Sequence, residues 1–537
     1  MKFEQLEDRL NLSTYVGTVG ADVVYILQGQ EPFGEYTYFL TTMKNGVAET
    51  SLTLSTDSDI SLDMGDGNDI VYNLTYNRDL KVDLGDGNDI FNSDGSEGGA
   101  VLVNGGNGND LIKGSGNNDV LYGGDGQDTL IGFGGDDYLI GGKMLDESVL
   151  DYIFQSTDLK HLQVVSIEKY DNLIDDGFND QLDVGTGFDV SFNDLTRVVE
   201  INTWNTGITY FVTNTSEFEV ALSAAVSNDI IQLADGVYDM TQPIIKNLAG
   251  ISIIGSGSNT IVKGLLYSNN QDNHIPAIIQ NLAIDVTGLT PINYQGNNPY
   301  LLFKNGDFYI DNVEVYGVGT VNVATLYATV HSGSYTEVYI TNSYVHDVAG
   351  DAISTAGRSG MLPSILEVYD LVGHTPGPNA NNQVLTAHFG FAAAAVGGHY
   401  YDAPSNVIAA DSVTAIDLYY VTVTSTSSRT YGGAGVYMVT PSIYYGCYFE
   451  TTGLSISGLL EECTIIHNGL TNTVIQVQAG GVIKNNYVVN PYENNNKAMN
   501  IRGNNSVVID NVFENWNQLY YIFPGVTEFT FENNTEI

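Results

Sequence analysis

Aspartates recur at a fixed spacing in a glycine-rich stretch of the sequence. Four consecutive units close on aspartates nine residues apart, namely Asp110, Asp119, Asp128 and Asp137. Two further copies of the unit, at residues 65–70 and 85–90, stand 20 residues apart, and residues 185–189 are a degenerate echo. Glycines accept positive φ angles and let the backbone wrap tightly, with its carbonyl groups turned inward. An aspartate in each turn adds a hard anionic oxygen, so the pattern predicts a row of Ca²⁺ sites.

The candidate calcium ligands are the aspartates of these units. Stacked carboxylates would repel each other without a bound cation, which favours calcium over metal-free glycine turns as the explanation of the repeat. We expect this calcium to be structural. The predicted ligands are Asp66, Asp69, Asp86, Asp89, Asp110, Asp119, Asp125, Asp128, Asp136 and Asp137.

The 8 histidines of the chain point to a second candidate site. Beyond residue 210, short β-branched segments alternate with Asn/Gly turns, and one turn position recurs at intervals of 16 to 31 residues. Its clearest occupants are Asn281, Asn312, Asn342, Asn485, Asn511 and Asn533. The residues four positions beyond five successive turns are Asp285, Tyr316, His346, His374 and Asp402. Because a solenoid repeats its cross-section, equal offsets predict one polar column on a single face, with neighbours about 4.8 Å apart.

Short strands must hold the aspartates in place. Each aspartate of the repeat is followed by an apolar pair such as Leu111-Ile112, which supplies a strand whose inner residue feeds a thin core, and two nine-residue units make one coil. Over residues 57–142 the sequence resembles the RTX nonapeptide (GGxGxDxUx) repeat family, whose fold is a calcium-filled parallel β-roll. The resemblance implies Ca²⁺ as the cofactor of this segment.

Residues 210–537 carry a different solenoid pattern. A Ser-x-x-Glu pattern at Ser216 and Glu219 predicts a helix that covers the open end of a strand-rich repeat. Asparagine suits the recurring turn because it tolerates the left-handed conformation and can hydrogen-bond to an adjacent coil. This segment resembles the right-handed parallel β-helix of pectin-lyase-like proteins, and residues 212–238 look especially like the polysaccharide-lyase branch. The predicted fold class is all-β: a calcium-binding parallel β-roll followed by a right-handed parallel β-helix, which is a β-solenoid.

These patterns divide the chain into four segments. We expect an N-terminal tag and lead-in strands at 1–56, an RTX-type calcium β-roll at 57–142, a connecting segment with a degenerate repeat at 143–209, and the β-helix with its helical N-cap at 210–537. Residues 1–13 resemble the LEPR/LEDR tag that begins many bacterial extracellular proteins. Cys447 and Cys463 fall on neighbouring turn positions, where they act either as small buried residues or as a disulfide.

The charge of the chain restricts its partners. The chain has 64 acidic and 18 basic side chains, a formal net charge of −46, which argues against nucleic acid or an anionic membrane and favours cations. Its 43% of hydrophobic residues excludes a disordered polyanion. The sequence has no apolar run of about 18 residues, so no membrane span is expected. The expected partners are calcium ions and an extracellular polysaccharide or cell-surface glycan, and an oligomer stays possible.

The resemblance to polysaccharide lyases implies roles for the polar column. His346 or His374 is the candidate base that removes the C5 proton of a uronate, and Tyr316 is the candidate proton donor. The uronate carboxylate must be neutralised first, either by Arg358 or by a Ca²⁺ ion. The candidate ligands of that ion are Asp285, Asp347, Asp351 and Asp402.

Two classes of function follow. The first is a secreted, calcium-stabilised β-solenoid protein that binds or acts on extracellular polysaccharide, as a lyase or C5-epimerase if it is an enzyme; a hydrolase would use Asp347 and Asp351 as paired carboxylates. The second is a non-enzymatic surface-layer, matrix or adhesin-type protein, and a glycan-binding module without turnover lies between them. Residues 201–537 hold only 8 basic side chains and no clear Lys/Arg pair of the lyase type, so both classes stay open. The expected location is extracellular or on the cell surface.

Overall fold

The fold is that of a computed structural model of the 537-residue chain. The described residues are 14–18, 20–30, 36–44, 47–54, 60–75, 79–93, 99–135, 137–141, 143–144, 173–174, 180–183, 188–193, 196–201, 207–240, 242–271, 275–294, 298–317, 324–329, 335–348, 351–356, 364–374, 383–387, 391–401, 403, 407–410, 416–424, 436–437, 440–451, 453–467, 473–492 and 497–537. The chain divides into two compact units, Met1–Trp204 and Asn205–Ile537. In the part of the chain given by these ranges, strands make up almost all regular structure, and no helix is both long and apolar enough to cross a membrane.

The first unit contains two eight-stranded sheets. The strands of one sheet, in order across it, are Thr14–Val16, Ile60–Asp63, Leu80–Asp83, Val101–Asn107, Val120–Asp125, Tyr138–Ile140, Phe188–Asn193 and Thr196–Ile201. The strands of the other are Gln181–Asp183, Thr129–Ile131, Leu111–Lys113, Ile90–Asn92, Ile70–Leu74, Val23–Gln30, Tyr36–Lys44 and Val47–Leu54. A short antiparallel pair joins Lys143–Met144 to Leu173–Ile174.

Consecutive coils of the first unit pair in parallel. Leu111 pairs with Thr129 and Val120 pairs with Tyr138, so one coil spans 18 residues, or two repeat units. The three-residue strands Ile90–Asn92, Leu111–Lys113 and Thr129–Ile131 each bury a single central side chain, such as the fully buried Ile112, and four-residue strands such as Ile60–Asp63 bury two. The core is therefore a thin row of apolar side chains, and antiparallel strands at the sheet ends replace the parallel pairing.

The second unit begins with a strand and a helix. The helix α1 spans Thr215–Ala224, and its N-cap is Asn214, whose Oδ1 accepts the N–H of Glu217 at 3.0 Å. Glu217 in turn accepts the N–H of Thr213 through Oε2 at 2.8 Å. The predicted capping residues Ser216 and Glu219 are thus two positions too late, because Asn214 is itself a strong capping residue. The helix buries Phe218, Ala221 and Leu222.

The rest of the second unit is built from two parallel sheets of 25 and 12 strands. The larger sheet contains Thr209–Val212, Ile230–Leu233, Gly236–Asp239, Ser252–Ile254, Thr260–Lys263, Ala277–Asp285, Asp307–Tyr316, Glu337–Thr341, Tyr344–His346, Ser364–Tyr369, Val372–His374, Phe391–Val396, His399–Tyr401, Ile416–Tyr419, Thr422–Thr424, Ile443–Tyr445, Tyr448–Thr451, Leu459–Glu461, Thr464–His467, Val482–Lys484, Tyr487–Val489, Ser506–Ile509, Val512–Glu514, Phe529–Glu532 and Thr535–Glu536. The smaller sheet contains Ile244–Lys246, Leu266–Asn269, Leu301–Lys304, Ala324–Thr329, Asp351–Ala356, Leu385–Ala387, Ile408–Ala410, Val436–Tyr437, Leu454–Ile456, Thr473–Val477, Lys497–Ile501 and Gln518–Ile522. Both units are nearly all β with parallel sheets, which is consistent with β-solenoids.

The larger sheet turns within each coil at a residue with positive φ. These residues are Asn281, Asn312, Asn342, Asp370, Gly397, Tyr420, Gly446, Glu462, Asn485, Asp510 and Asn533. Asparagine, aspartate and glycine dominate because they adopt the left-handed region at little cost. The sequence placed the turn at Asn511, but the left-handed residue of that coil is Asp510, with φ 57°.

The residue that follows the left-handed position is buried and bonds to the next coil. Asn486, Asn511 and Asn534 form a row that we call the asparagine ladder. The N–H of Asn486 donates to Oδ1 of Asn511 at 2.9 Å, and the N–H of Asn511 donates to Oδ1 of Asn534 at 3.0 Å. Cys447 and Cys463 occupy the same row in earlier coils as free, buried thiols.

Candidate functional site

The turns of the first unit hold a continuous row of aspartates, which we call the aspartate ladder. Its members are Asp22, Asp69, Asp89, Asp110, Asp128 and Asp180. The backbone N–H of each donates to Oδ1 of the next, at distances of 2.6 to 2.8 Å. Each aspartate immediately precedes a strand, so the parallel stacking of the strands brings one carboxylate per coil to the same place.

The second oxygen of the ladder carboxylates makes the turns suitable for a cation. In Asp69, Asp89 and Asp110, Oδ2 is buried and accepts no hydrogen bond. Burial raises the pKa of Asp89 to about 6 and that of Asp110 to about 8, because a buried, uncompensated anion is unfavourable. A cation at these oxygens would remove that cost, and hard anionic oxygens are the donors that Ca²⁺ prefers. The donor set therefore fits Ca²⁺.

Glycine at fixed positions lets the coils approach closely enough for this ladder. Gly108 has φ 137°, and a Cβ placed on it would stand 1.5 Å from the carbonyl oxygen of Gly87 in the adjacent coil. A Cβ on Gly105 would stand 2.6 Å from Oδ2 of Asp110. Any larger residue at either position would push the coils or the carboxylate apart, so the glycines of the repeat set the geometry of the turn.

A second row of the predicted ligands lies in the turns before the other sheet. The N–H of Val101 donates to Oδ1 of Asp119, and the N–H of Asp119 donates to Oδ1 of Asp137, each at 2.8 Å. Oδ2 of Asp119 also accepts the N–H of Ser115 at 2.6 Å. Burial raises the pKa of Asp119 to about 7. This row repeats the Oδ1 bonds of the aspartate ladder, but Oδ2 of Asp119 already accepts a backbone N–H.

The other predicted ligands lie on the outside of the turns or beyond the described residues. Asp66 and Asp86 are exposed and Asp125 is partly buried. Oδ1 of Asp86 accepts a hydrogen bond from Nδ2 of Asn107 at 2.6 Å. Asp136 is outside the described residues. Their assignment as calcium ligands stays a prediction.

Two ladder residues, Asp22 and Asp180, were missed in the sequence. Asp22 closes the sequence Gly20-Ala21-Asp22, which keeps only the end of the repeat. Asp180 closes Gly177-Phe178-Asn179-Asp180, but it follows Asp128 by 52 residues, so the nine-residue spacing gives no sign of it. A glycine two or three positions before an aspartate was the signal available.

The larger sheet of the second unit presents a row of ring side chains to solvent. Asp285 pairs with Tyr316, and Tyr316 pairs with His346. The pairing of Val345 with Gly373 sets His374 beside His346 in the next coil. The ring centroids of Tyr316 and His346 are 5.7 Å apart, and those of His346 and His374 are 5.9 Å apart. The predicted column is therefore present from Asp285 to His374.

The fifth member of the column differs from the prediction. Tyr401, not Asp402, pairs with His374, and their ring centroids are 4.9 Å apart. The left-handed turn residue of this coil is Gly397, which aligns with Asp370, whereas the count along the sequence started from Gly398; four residues beyond Gly397 is Tyr401, so the equal offset holds. Asp402 itself lies outside the described residues.

Alternate residues of the same strands add to this surface. Side chains two positions apart on a strand share a face, which places Glu314, Tyr344 and His399 next to the column. We call the combined surface the polar face; its members are Glu314, Tyr316, Tyr344, His346, Asp347, His374, His399 and Tyr401. The period-two pattern of these strands was the sequence signal for the added members.

Hydrogen bonds fix the centre of the polar face. Nε2 of His346 lies 2.9 Å from Oε1 of Glu314, and Nδ1 of the same ring lies 2.9 Å from Oδ2 of Asp347. Nε2 of His374 lies 3.7 Å from Oδ1 of Asp347. The hydroxyl groups of Tyr344 and Tyr401 are 3.4 Å apart, and this bond is the main reason that the pKa of Tyr344 rises to about 12.

Of the remaining predicted catalytic residues, Asp351 is among the described residues and lies away from the polar face. Asp351 begins a strand of the 12-stranded sheet, and its Oδ1 accepts the N–H of Gln383 at 2.8 Å. Burial raises the pKa of Asp351 to about 7. Arg358 lies outside the described residues. The catalytic roles of these two residues stay predictions.

Comparison with known proteins finds a repeat family in part of the first unit. A family model for the RTX calcium-binding nonapeptide repeat, in four copies, matches residues 102–130 and 113–143. The chain carries RTX repeats. RTX repeats bind calcium, which suggests Ca²⁺ as the ion of the turns, and proteins that contain them are typically extracellular or secreted.

Other comparisons add little to this result. No curated protein matches the chain. A solved structure described as Geobacillus virus E2 ORF18 is similar at 13% sequence identity and a TM-score of 0.32, covering 67% of this chain and 69% of its own.

Proposed function

We propose that this chain is a secreted, calcium-stabilised β-solenoid protein that binds an extracellular polysaccharide along the polar face and acts on it by lyase- or epimerase-like chemistry. The observation that carries the proposal is the row of rings at Tyr316, His346, His374 and Tyr401, one in each of four successive coils. Such partly exposed rings combine an apolar surface with a polar edge, and their regular spacing suits an extended chain of sugars.

The chemistry of the face assigns His374 as the better candidate base. Ionised carboxylates only accept hydrogen bonds, so both ring nitrogens of His346 must donate for its bonds to Glu314 and Asp347 to form together. An imidazole that donates from both nitrogens is protonated and cannot take another proton. Nε2 of His374 lies 3.7 Å from Oδ1 of Asp347, which is beyond hydrogen-bond length, so this carboxylate does not require that nitrogen to donate, and we take His374 as the candidate base.

Tyr316 is the candidate proton donor. Burial, followed by the carboxylates of Asp285 and Glu314, raises its pKa, so the phenol keeps its proton at neutral pH. In a lyase step the base takes the C5 proton of a uronate, the C4–O bond breaks, and the departing oxygen takes a proton from the donor. In an epimerase step the proton returns to C5 from the opposite face.

A second candidate function is a non-enzymatic surface-layer, matrix or adhesin-type protein. The observation that favours it is the engagement of His346 by two carboxylates, which is a stabilising arrangement rather than a reactive one. On this alternative the polar face binds a cell-surface glycan without turnover or only contributes to a rigid rod.

The finer assignments of fold and location belong to the same proposal. We assign the second unit to the right-handed, pectin-lyase-like form of the parallel β-helix, because its coils carry an asparagine-rich left-handed turn and a capping helix at the first coil. Secretion is supported by the RTX repeats. The resemblance of residues 1–13 to an extracellular tag points the same way.

A glycan panel tests the proposal. Alginate, pectate and chondroitin are incubated with the full chain in calcium, and ultraviolet absorbance follows the unsaturated uronate that a lyase produces. Epimerisation is read from the sugar composition by NMR, and binding is measured separately by affinity electrophoresis. We expect His374→Ala to abolish turnover and Tyr401→Ala to weaken binding.

The control variant is Tyr448→Ala, a tyrosine on the same outward surface that pairs with Thr422 and Thr464 instead of with rings. It should leave binding unchanged. Turnover that survives His374→Ala would move the base elsewhere. If the folded wild-type chain neither binds nor changes any glycan of the panel, the structural alternative is favoured.

A further inference from the structure

The centre of the polar face brings two imidazoles and a carboxylate together. His346 ends the strand Tyr344–His346, and Asp347 follows it in the left-handed conformation with φ 53°. His374 ends the paired strand of the next coil. The side chains of His346, Asp347 and His374 each offer one ligand atom, and these atoms all lie within 4.8 Å of one another.

The spacing of these atoms suits a single small ion. Asp347 lies between the two rings, 2.9 Å from Nδ1 of His346 and 3.7 Å from Nε2 of His374. Zinc bonds to imidazole nitrogen and carboxylate oxygen are about 2 Å long, so two donors that share one ion stand roughly 3–4 Å apart. The separations of 2.9 and 3.7 Å are close to that range, and the ligand atoms of the two histidines lie within 4.8 Å of each other.

Glu314 prepares His346 to be a ligand. Its Oε1 lies 2.9 Å from Nε2 of His346, so Nε2–H donates to the carboxylate, and when a metal displaces the proton of Nδ1 the lone pair of Nδ1 faces the ion. Histidine ligands of metals commonly donate their other ring N–H to a carboxylate in this way, which fixes the tautomer and raises the basicity of the ligand. This bond is independent of the cluster of three.

The donor set distinguishes this site from the calcium turns. Two nitrogen donors suit borderline divalent ions such as Zn²⁺, whereas Ca²⁺ takes oxygen ligands. Three protein ligands leave a fourth coordination position open. The side chain of Asp347 is 59% exposed and those of the histidines are 14% exposed, so water or a ligand oxygen can reach that position from solvent.

We propose that His346, His374 and Asp347 form a binding site for a divalent transition metal of the Zn²⁺ class, with Glu314 as a positioning residue. The site does not depend on the glycan proposal. A ring nitrogen that holds a metal cannot also accept a proton, so the metal-loaded protein lacks the base at His374. Zinc therefore suppresses any lyase or epimerase turnover of the metal-free protein and leaves the outer rings Tyr316 and Tyr401 free to contact a ligand.

Zinc titration of the full chain tests the site. Isothermal titration calorimetry with ZnCl₂ is run in saturating calcium, which keeps the oxygen-only turns occupied by their own ion. We expect one zinc ion per wild-type chain. His374→Ala and Asp347→Ala should abolish that binding, and Glu314→Gln should weaken it by roughly 10- to 100-fold, as loss of a carboxylate partner does at other metal sites.

The matched control is His399→Ala, which removes a histidine of the same face that lies outside the cluster and whose Nε2 is 3.0 Å from Oγ1 of Thr424. It should bind zinc like the wild type. Thermal melts confirm that each variant is folded, and visible absorption of the Co²⁺-loaded protein reports nitrogen ligands that His346→Ala should remove. The proposal is overturned if the wild type takes up no zinc, or if His374→Ala titrates like the wild type.

Discussion

The turn ladders of the two units have the same backbone bond but differ in one side-chain atom. In the aspartate ladder, the N–H of Asp89 donates to Oδ1 of Asp110 at 2.8 Å, and in the asparagine ladder the N–H of Asn486 donates to Oδ1 of Asn511 at 2.9 Å. The second terminal atom of the side chain distinguishes the two ladders. Oδ2 of Asp110 is buried and accepts no hydrogen bond, whereas Nδ2 of Asn511 donates to the carbonyl oxygens of Ile483 and Ile509 at 2.9 and 2.8 Å.

This difference shows how two solenoids reach stability by different routes. An asparagine amide supplies a donor that the strand carbonyls satisfy, so the second unit completes its ladder from its own atoms. An aspartate supplies a second acceptor and a negative charge; at Asp69, Asp89 and Asp110 this second oxygen is buried without a hydrogen bond, and a bound cation would satisfy it. The first unit is therefore expected to depend on calcium, and the second is not.

The largest expected effect is that of calcium removal on the thermal unfolding of the full chain. Binding of an ion to the folded state alone stabilises it by about 2.7 kcal/mol per site at a hundredfold excess over Kd, and the first unit has several turns. We expect two calorimetric transitions, of which the one from the first unit moves to a much lower temperature after chelation. A single transition at every calcium concentration would contradict independent calcium dependence.

The next largest effect comes from replacing the donor atom of the asparagine ladder. Asn511→Asp turns a satisfied donor into an acceptor that faces two carbonyl oxygens, and we expect a loss of about 1–3 kcal/mol in the free energy of unfolding. Asn511→Ala should cost a similar amount, because it leaves the buried N–H of Asn486 without its acceptor. Denaturant titration in excess calcium measures both.

The control for these variants is Asn485→Gly. Asn485 is the exposed left-handed residue of the preceding coil, with φ 57°, and glycine adopts that conformation readily. Its stability should stay close to that of the wild type. A loss equal to that of Asn511→Asp would assign the effect to the turn conformation instead of the ladder.

The reverse substitution in the first unit should weaken calcium binding. Asp110→Asn removes one anionic oxygen from the middle of the aspartate ladder while it keeps the shape of the side chain. We expect the calcium concentration at the midpoint to rise roughly tenfold, which corresponds to about 1.4 kcal/mol of binding free energy. In the calcium-free first unit, the removal of one charge should reduce the repulsion between neighbouring carboxylates. Calcium titration followed by circular dichroism measures the midpoint, and an unchanged value would remove Asp110 from the ligands.

The smallest effect is a pH dependence that appears only in calcium-stripped protein. Burial raises the pKa of Asp89 to about 6, of Asp119 to about 7 and of Asp110 to about 8. Carboxyl groups with raised pKa values in the folded state favour folding at low pH, and their contribution is lost as pH rises through those values. The melting temperature of the first unit should therefore rise as pH falls from roughly 8 towards 5, which is the window of these pKa values. In saturating calcium the trend should flatten or reverse, because protons then compete with the ion.

The sequence predicted the parts of the fold that repeat strictly. Spacing alone identified Asp110, Asp119, Asp128 and Asp137 and a coil of two units, although one row of aspartates was expected and the structure has two. Asp180 escaped detection, since 52 residues separate it from its ladder neighbour Asp128. Local pattern cannot show which segment returns to the stack after so long an excursion.

Small errors of register account for the rest. Counting from the turn gave the column from Asp285 to His374 but failed at Tyr401, because the turn was placed at Gly398 and the turn residue that aligns with Asp370 is Gly397. The same ambiguity of one or two positions affected Asn511 and the N-cap Asn214. The grouping of Glu314 with His346 and Asp347 depends on a side-chain contact between adjacent coils. The spacing of residues along one strand does not predict such a contact.

Backbone amide hydrogen exchange of the full chain, with and without calcium, tests the central difference most directly. The backbone N–H groups of Asp69, Asp89 and Asp110 donate to carboxylate oxygens of the aspartate ladder. Those of Asn486 and Asn511 donate to the side-chain oxygens of the asparagine ladder. Stripping calcium should sharply increase exchange in peptides that cover residues 60–141 and leave peptides from residues 473–537 protected. Equal protection of both segments without calcium, or equal loss in both, would contradict the account.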